Sequence, residues 1–310
     1  MTEFELIAKL TKKLPANQTV VVGAGDDCAV LDFGLRDKLI LFKTDSVVEG
    51  IHFEKDAAPE KVGRKALARC LSDMAAMAGT PTAAVVTIGL PGNFKFESIE
   101  KIYEGMGVLA KKHGVAIVGG ETTTNPGGIF ISVALLGTVN RGRLILRSTA
   151  KAGDAVFVTG ELGGSSTGKH FDFEPRLAEA SWLADNFQVH AMIDLSDGLA
   201  GDLRHILKAS SVGAELLKSA IPVNRAAKEL ARKNPSSRTP HRAALEDGED
   251  FELLFTLAPG ESVKLLDAWR KQFPSLKLSC IGKIIAGEGI IVRDKTGPQK
   301  LNAHGYVHFA

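Results

Sequence analysis

The sequence predicts a two-domain α/β (α+β) protein, with an N-terminal mixed sheet carrying helices and a C-terminal α/β domain, and three observations lead there. Its 310 residues are 45% apolar and 24% charged, which is enough to bury a full core and long for one domain. Apolar, β-rich runs alternate with stretches of helical periodicity in both halves. A polar stretch over residues 147–154 interrupts the alternation, which places a boundary within 140–150 and domains at 1–145 and 146–310.

In the first half, strands are expected at 19–22, 39–42, 83–88, 115–118 and 129–136, and helices at 59–78 and 96–113, the second closed by Gly114. The second half is expected to run strand 155–158, helix 175–186, strand 191–193 and helix 196–211. Helices at 226–233 and 261–272 and strands at 251–257, 278–285 and 290–293 complete it. Residues 234–242, rich in Pro, Ser and Arg, read as an exposed loop. The chain contains no short repeat and no low-complexity tract.

The formal charge is +2, and the lysines and arginines are mixed with carboxylates, with no basic run interleaved with aromatics. Nucleic acid is therefore not an expected partner. Residues 1–14 lack the apolar core of a signal peptide and alternate charged and apolar positions at helical spacing, with Thr2 and Glu5 at capping-box separation. No later segment is long and apolar enough to span a bilayer. Cys28, Cys70 and Cys280 lie far apart without metal-type pairing, which reads as buried, reduced thiols. A soluble cytoplasmic protein is expected.

Function is written in where the acids fall. Gly25-Asp26-Asp27 follows a strand, Thr44-Asp45 ends one, and Gly119-Gly120-Glu121-Thr122-Thr123 follows another. Strand ends beside glycines are where a backbone approaches a ligand closely. Asp73 sits within a mostly apolar helical run and must face a partner. Ile193-Asp194-Leu195-Ser196-Asp197-Gly198 puts one acid at a strand end and one in the first helical turn, where Asp197 has helix capping as its plain alternative.

Capping does not account for the whole set, because acids from different elements would converge at one sheet edge. Two like charges about 4 Å apart repel by roughly 4 kcal/mol at an effective dielectric near 20. Either protons stay on or metal ions bind. Oxygen ligands suit Mg²⁺ or Ca²⁺, and Mg²⁺ takes substrate phosphates as remaining ligands, so a metal-bridged nucleotide is the expected ligand.

A rival phosphate site lies at Gly163-Gly164-Ser165-Ser166-Thr167-Gly168-Lys169-His170, which fits G-x-x-x-x-G-K-[ST] except that His170 replaces the hydroxyl residue. Ala191-Met192-Ile193-Asp194 imitates the strand with a terminal Asp found in such proteins, and a flexible Gly/Ser loop is the plain alternative. Gly23-Ala24-Gly25-Asp26-Asp27-Cys28 misses the dinucleotide fingerprint at its third glycine.

Taken together, the motifs resemble the thiamine-monophosphate kinase family of the aminoimidazole-ribonucleotide-synthetase-like ATP-binding superfamily, along nearly the whole chain. They are Gly25-Asp26-Asp27-Cys28-Ala29, Thr44-Asp45-Ser46 continuing to Phe53, Leu71-Ser72-Asp73-Met74-Ala75-Ala76-Met77, Gly119 to Thr123, Arg147-Ser148, Asp194 to Leu199, Gly248-Glu249-Asp250-Phe251-Glu252-Leu253, and Gly305-Tyr306-Val307-His308-Phe309. The resemblance implies that family's two-domain fold and transfer of a phosphoryl group from ATP to thiamine monophosphate. It implies Mg²⁺ held by Asp27, Asp45, Asp73, Asp194 and Asp197, with Thr44 and the Lys43 carbonyl assisting. ATP would meet Gly120, Arg147 and Ser196, while thiamine phosphate would lie among His52, Glu249 and Tyr306. A homodimer joining N-terminal sheets is implied, with nucleotide near the junction.

Glu121 departs from the family, which usually has Asp there, so its role as a metal and ATP ligand carries a longer arm. Tyr103 would stack near adenine or sit at the core edge. Outside their motifs, His52 reads as a structural histidine, Glu249 as a turn acid and Tyr306 as a packing aromatic. No general base is expected, because the acceptor phosphate, with a second pKa near 6, is already largely ionised at pH 7. A non-catalytic ATP-binding regulator, for which Glu121 would be the first symptom, and a sister enzyme of the superfamily are the other classes. The remaining acids oppose the first, and the missing reactive-Cys motif and cysteine-bearing tail oppose the second.

Overall fold

The computed structural model describes residues 3–234, 238–302 and 305–306. By its contacts the chain divides into two units, one of Gln18–Leu144 with His170–Leu177, the other of Ile145–Lys169 and Ala178–Ala310 with Met1–Asn17. The chain opens with helix α1 (Glu3–Thr11). Thr2, half of the expected capping box, lies outside the described residues.

The first unit runs β1 (Val20–Val22), β2 (Ala29–Leu31), β3 (Lys38–Val48), α2 (Pro59–Ala76), β4 (Thr80–Leu90), α3 (Phe96–Lys112), β5 (Ala116–Thr124) and β6 (Phe130–Asn140). The six strands form one sheet in the order β1-β2-β3-β6-β4-β5. Only β4 and β5, joined through α3, are parallel; the other pairs are antiparallel. This follows from connection geometry, since a helical crossover returns a strand parallel to its predecessor.

The two-residue period of β3 sets the layers. Leu39, Leu41 and Val47 are buried on the side covered by α2, while Phe42 on the other face is exposed. α2 is buried at Leu67, Leu71 and Met74, as a helix covering a sheet requires. The opposite face carries exposed Phe42, Val85, Val118 and Leu136.

Two expected strands are longer than their apolar cores. Thr44 and Asp45 lie inside β3, and Gly119 to Thr123 lie inside β5, where both had been expected at or beyond strand ends. The polar residues continue the alternation without adding hydrophobicity, so apolar counting stops early.

After the boundary come β7 (Ala155–Thr159), the single turn α4 (Lys169–Asp172), α5 (Leu177–Asn186), β8 (Val189–Asp194), α6 (Leu199–Ser210), β9 (Gly213–Leu217), α7 (Arg225–Lys233), α8 (Pro240–Glu246), β10 (Leu253–Leu257), α9 (Ser262–Gln272), β11 (Leu278–Ile285), β12 (Gly289–Asp294) and β13 (Gly297–Lys300). Seven strands order as β13-β12-β9-β11-β7-β10-β8, with β12 and β9 the parallel pair. β7 and β10 are buried at every position, and Leu199, Leu203, Ile206 and Leu207 of α6 close the core with Val156, Val158 and Leu254.

Three expectations change here. Helix α6 starts at Leu199, three residues later than expected, with Gly198 at its N-cap at φ +97°. Residues 240–242 of the expected loop are helical: Thr239 caps α8, its hydroxyl accepting the Arg242 N–H at 3.3 Å, with Pro240 in the first turn. Pro235, Ser236 and Ser237 lie outside the described residues. Cys28 and Cys70 are buried, but Cys280 is exposed, and all three are free.

Candidate functional site

Helix α2 carries Asp73 inward, where it meets Lys43, with Nζ 3.0 Å from Asp73 Oδ1. Lys43 and Asp45 are two residues apart on β3 and so share the face that α2 covers. Arg69 of α2 grips Asp45 with two nitrogens, Nε 3.0 Å from Oδ2 and Nη2 3.2 Å from Oδ1. Burial acts to raise the Asp45 carboxyl, but Arg69 and Lys43 outweigh it and hold Asp45 below the usual carboxylate range. Burial likewise acts to lower the Lys43 ammonium, and the charges of Asp73 and Asp45 hold it above its ordinary value.

Asp27 is 1% exposed, in the loop between β1 and β2. One of its carboxylate oxygens lies within 4.8 Å of one from Asp73. Three acids against two cations leave this cluster one negative charge in excess, in a setting where like charges at that distance repel by about 3–4 kcal/mol at a dielectric near 20. The donors are hard oxygens, which fits Mg²⁺. Beneath them the Cys28 thiol is pushed up by burial and then by Asp73, and Cys70 by burial and then Asp45, so both stay protonated.

Thr44 points the other way. Its hydroxyl is 3.2 Å from Ser132 Oγ, so its side chain does not join Asp45 and Asp73. His52 closes the turn after β3, Nδ1 accepting the Val48 N–H at 3.1 Å, which leaves Nε2 as its donor. Gly120 and Glu121 lie on β5, opposite Val86 and Thr87 of β4, and Glu121 is exposed. Two strands separate β5 from β3, so Glu121 stands about 14 Å across the sheet from the Asp45 strand at ordinary strand spacing. A Cβ at Gly120 would meet the Val86 carbonyl oxygen at 1.7 Å, so only glycine fits. Tyr103 on α3 is partly exposed, and burial raises its phenol.

In the second unit, Asp194 ends β8 and is 3% exposed. Asp197 stands one residue before Gly198, which occupies the N-cap of α6. Its N–H donates to Asp202 Oδ2 at 3.0 Å. Ligand atoms of Asp197, Asp202 and His205 lie within 4.8 Å of one another. Burial, then Asp197 and Asp194, pushes the Asp202 carboxyl well above its ordinary value, against a smaller opposite pull from Arg147.

Arg147 sits in the short 3-10 turn Arg147–Thr149. Ser210, the last residue of α6, donates its hydroxyl to the Arg147 carbonyl at 2.9 Å and accepts the Ala150 N–H at 3.1 Å. Glu249 N–H donates to the Ser196 carbonyl at 2.7 Å, and Tyr306 N–H to the Asp197 carbonyl at 2.9 Å. Glu249, Ser196, Asp197 and Tyr306 are therefore neighbours through their backbones. Val307, His308 and Phe309 of the terminal motif lie outside the described residues.

Sequence reasoning missed Arg69, the Lys43 ammonium, Asp202 and His205. Arg69 stands four residues before Asp73 on α2, and Asp202 and His205 continue the face of α6 three residues apart, so helical spacing was their available signal.

Residues 25–139 match the family model for the N-terminal domain of AIR synthase related proteins, and residues 151–295 match that for the C-terminal domain. The chain belongs to the AIR synthase related family. Within it, the chain is 39% identical to thiamine-monophosphate kinase of Rhodopirellula baltica, covering 96% of this chain and 93% of that one. It is 32% identical to thiamine-monophosphate kinase of Bacillus subtilis, with 100% of both covered, so its place is among the thiamine-monophosphate kinases. A solved structure of AaThiL complexed with AMPPCP and TMP is similar at TM-score 0.84 and 29% identity, covering 99% of this chain and 97% of that one. The Escherichia coli hydrogenase maturation protein HypE, at TM-score 0.74 and 21% identity, shares the fold.

Proposed function

We propose that this chain transfers the γ-phosphoryl group of ATP directly to thiamine monophosphate, giving thiamine diphosphate and ADP. The observation that carries the reading is that a member of this family keeps its motif acids clustered, buried Asp27 with Asp73 beside Lys43 in one unit, and buried Asp194 with half-buried Asp197 around Asp202 in the other.

Asp27, Asp45, Asp73, Asp194 and Asp197 would hold Mg²⁺, with the Lys43 carbonyl as a further ligand, and Thr44 and Glu121, which stand apart from the Asp45–Asp73 cluster, would serve separate ions. Bound Mg²⁺ supplies charge neutralisation between two phosphate-bearing substrates. Arg147, Gly120, Ser196 and Tyr103 receive ATP, the guanidinium matching phosphate geometry and the glycine admitting a close backbone approach. His52 offers its Nε2 donor to the acceptor phosphate, and Glu249 and Tyr306 orient the thiamine. No side chain is assigned to remove a proton, since the attacking oxygen is already ionised.

The protein works as a homodimer in this reading. Its support is the uncovered sheet face with Phe42, Val85, Val118 and Leu136, and the free edge strand β5, which carries Gly120 and Glu121 to the junction. Free thiols suit a cytoplasmic setting. The test is incubation of purified protein with ATP, Mg²⁺ and thiamine monophosphate followed by chromatography. Equal yields of thiamine diphosphate and ADP are expected, and ADP without thiamine diphosphate would overturn the reading.

A further inference from the structure

The segment Gly163 to Lys169, which reads in the sequence as a near phosphate-binding loop, has its anion-binding groups filled by the chain's own carboxylates. Gly163 N–H reaches both oxygens of Asp250, at 3.0 and 2.9 Å, and Gly164 N–H reaches Asp247 Oδ2 at 3.2 Å. Lys169 Nζ lies 3.0 Å from Glu252 Oε1 and 3.8 Å from Asp250 Oδ1, and donates to the Glu161 carbonyl at 2.9 Å. Asp250 and Glu252 are each 1% exposed. Thr159 donates its hydroxyl to Glu252 Oε2 at 2.8 Å, and Ser165 donates to the Gly248 carbonyl at 2.7 Å. Gly163 and Gly164 have φ of +85° and +77°, and a Cβ on either would meet backbone nitrogen at 2.7 Å, so the loop requires both glycines.

The held acids belong to a strained turn. Glu249 and Phe251, on either side of Asp250, have φ of +53° and +50°, a conformation that residues with a Cβ keep only when their surroundings impose it. The same turn is zipped to the exit of β8: Glu249 N–H to the Ser196 carbonyl at 2.7 Å, Phe251 N–H to the Leu195 carbonyl at 2.8 Å, and Leu195 N–H to the Glu252 carbonyl at 2.8 Å.

We propose that the Gly163–Lys169 loop is a positioning device, in which Lys169 and the Gly163 N–H anchor Asp250 and Glu252 so that Glu249 is presented to the thiamine phosphate acceptor. The proposal rests on Glu249 contacting that substrate. The charged groups around Asp250 are Lys169, Glu252 and Asp247, and Asp247 is itself paired with Arg238 at 3.2 Å. One lysine thus serves two buried acids. Burial pushes Asp250 up to about 7, against the pull of Lys169 and the Gly163 N–H, so the anchor changes charge near neutral pH.

The test compares Lys169→Met, Lys169→Arg, Asp250→Asn and Glu249→Gln in the full chain, with circular dichroism to check folding. In Lys169→Met the KM for thiamine monophosphate should rise roughly tenfold, the scale of losing a supporting partner, while ATP affinity by calorimetry and kcat stay within about threefold. Lys169→Arg should restore most of the loss, and Asp250→Asn should raise the same KM and flatten its pH dependence around neutrality relative to wild type. Loss of ATP binding in folded Lys169→Met would overturn the proposal in favour of a nucleotide-phosphate loop. An unchanged acceptor KM in Lys169→Met, or in Asp250→Asn where the lysine variant does not fold, beside a raised KM in Glu249→Gln, would overturn the positioning role alone. An unchanged KM in every variant would sink Glu249 as a substrate contact, and the proposal with it.

Discussion

Lys43 Nζ sits 3.0 Å from Asp73 Oδ1, so a strand lysine neutralises the acid that α2 buries. A cation bound by Asp27 and Asp73 would take over that duty. In Lys43→Met the metal-free protein loses the countercharge, and its Tm should fall. Mg²⁺ should then raise Tm by more than it does in wild type, since stabilisation grows with affinity for the folded state. Differential scanning fluorimetry with and without Mg²⁺ reads this directly; an equal Mg²⁺ increment in both proteins would break the link between Lys43 and the metal cluster.

Asp73→Asn tests the same cluster from the other side. The helix keeps its apolar contacts through Leu67, Leu71 and Met74, so circular dichroism should be unchanged. Turnover should drop on the order of a hundredfold, as for loss of an anionic ligand group. Near-normal turnover at saturating Mg²⁺ would remove Asp73 from the ligand set.

Asp250 gives a pH signature in stability. Its carboxyl is pushed from an ordinary 3.8 up to about 7 by burial, so between those values the folded protein holds a proton that the unfolded chain has released. Its contribution is fully present below about 3.8 and is lost as pH rises to about 7. The size is on the order of a few kcal/mol. The difference in unfolding free energy between wild type and Asp250→Asn, measured in urea at several pH values, should therefore fall across this window. A difference independent of pH would mean that Asp250 is ionised throughout.

Much of this was legible in the sequence because the acids come with glycines at fixed spacing. Asp73 in an apolar helix demanded a partner, and the partner exists, but nothing local pointed to Lys43, which reaches it from another element. Asp197 was read as the first turn of a helix; a chain that leaves β8 through Gly198 at positive φ starts that helix later, and propensity does not report such a turn. The near phosphate loop stood in the sequence as a rival only. Its pattern is a true anion-binding pattern, and the identity of the anion is decided by Asp247, Asp250 and Glu252, some eighty residues away in the chain. Short strands such as β2 and β13 carry too few residues for periodicity to register.

Leu136 is 42% exposed and pairs directly with Phe42, itself 45% exposed, on the uncovered face of the first sheet. Leu136→Glu should leave the monomer folded and weaken self-association at least about tenfold, since a charge at an interface core loses its solvation. Sedimentation velocity should show a shift from dimer toward monomer, and KM for ATP should rise because Gly120 and Glu121 lie at the edge of that sheet. A wild-type monomer would refute the dimer, and a variant with unaltered sedimentation would remove Leu136 from its interface.

The choice of acceptor separates a phosphate-directed kinase from a hydrolase or an alcohol kinase. Thiamine monophosphate brings an ionised oxygen at pH 7 and a phosphate that Mg²⁺ and the His52 donor can anchor. Unphosphorylated thiamine offers a hydroxyl whose proton must be removed, in a site where no base has been assigned, and it brings no phosphate anchor. It should be a poor acceptor, and raising the pH should rescue it only slightly, because hydroxyl ionisation lies far above any usable pH. Glu121→Asp should keep the selectivity, since a shorter carboxylate preserves the charge on β5 while shifting the Mg²⁺ concentration required. The measurement is product chromatography with ADP release for each acceptor across a pH series. Equal catalytic efficiency with thiamine and its monophosphate would overturn both the acceptor and the base-free mechanism, whereas selectivity lost only in Glu121→Asp would place Glu121 at the acceptor instead of the nucleotide.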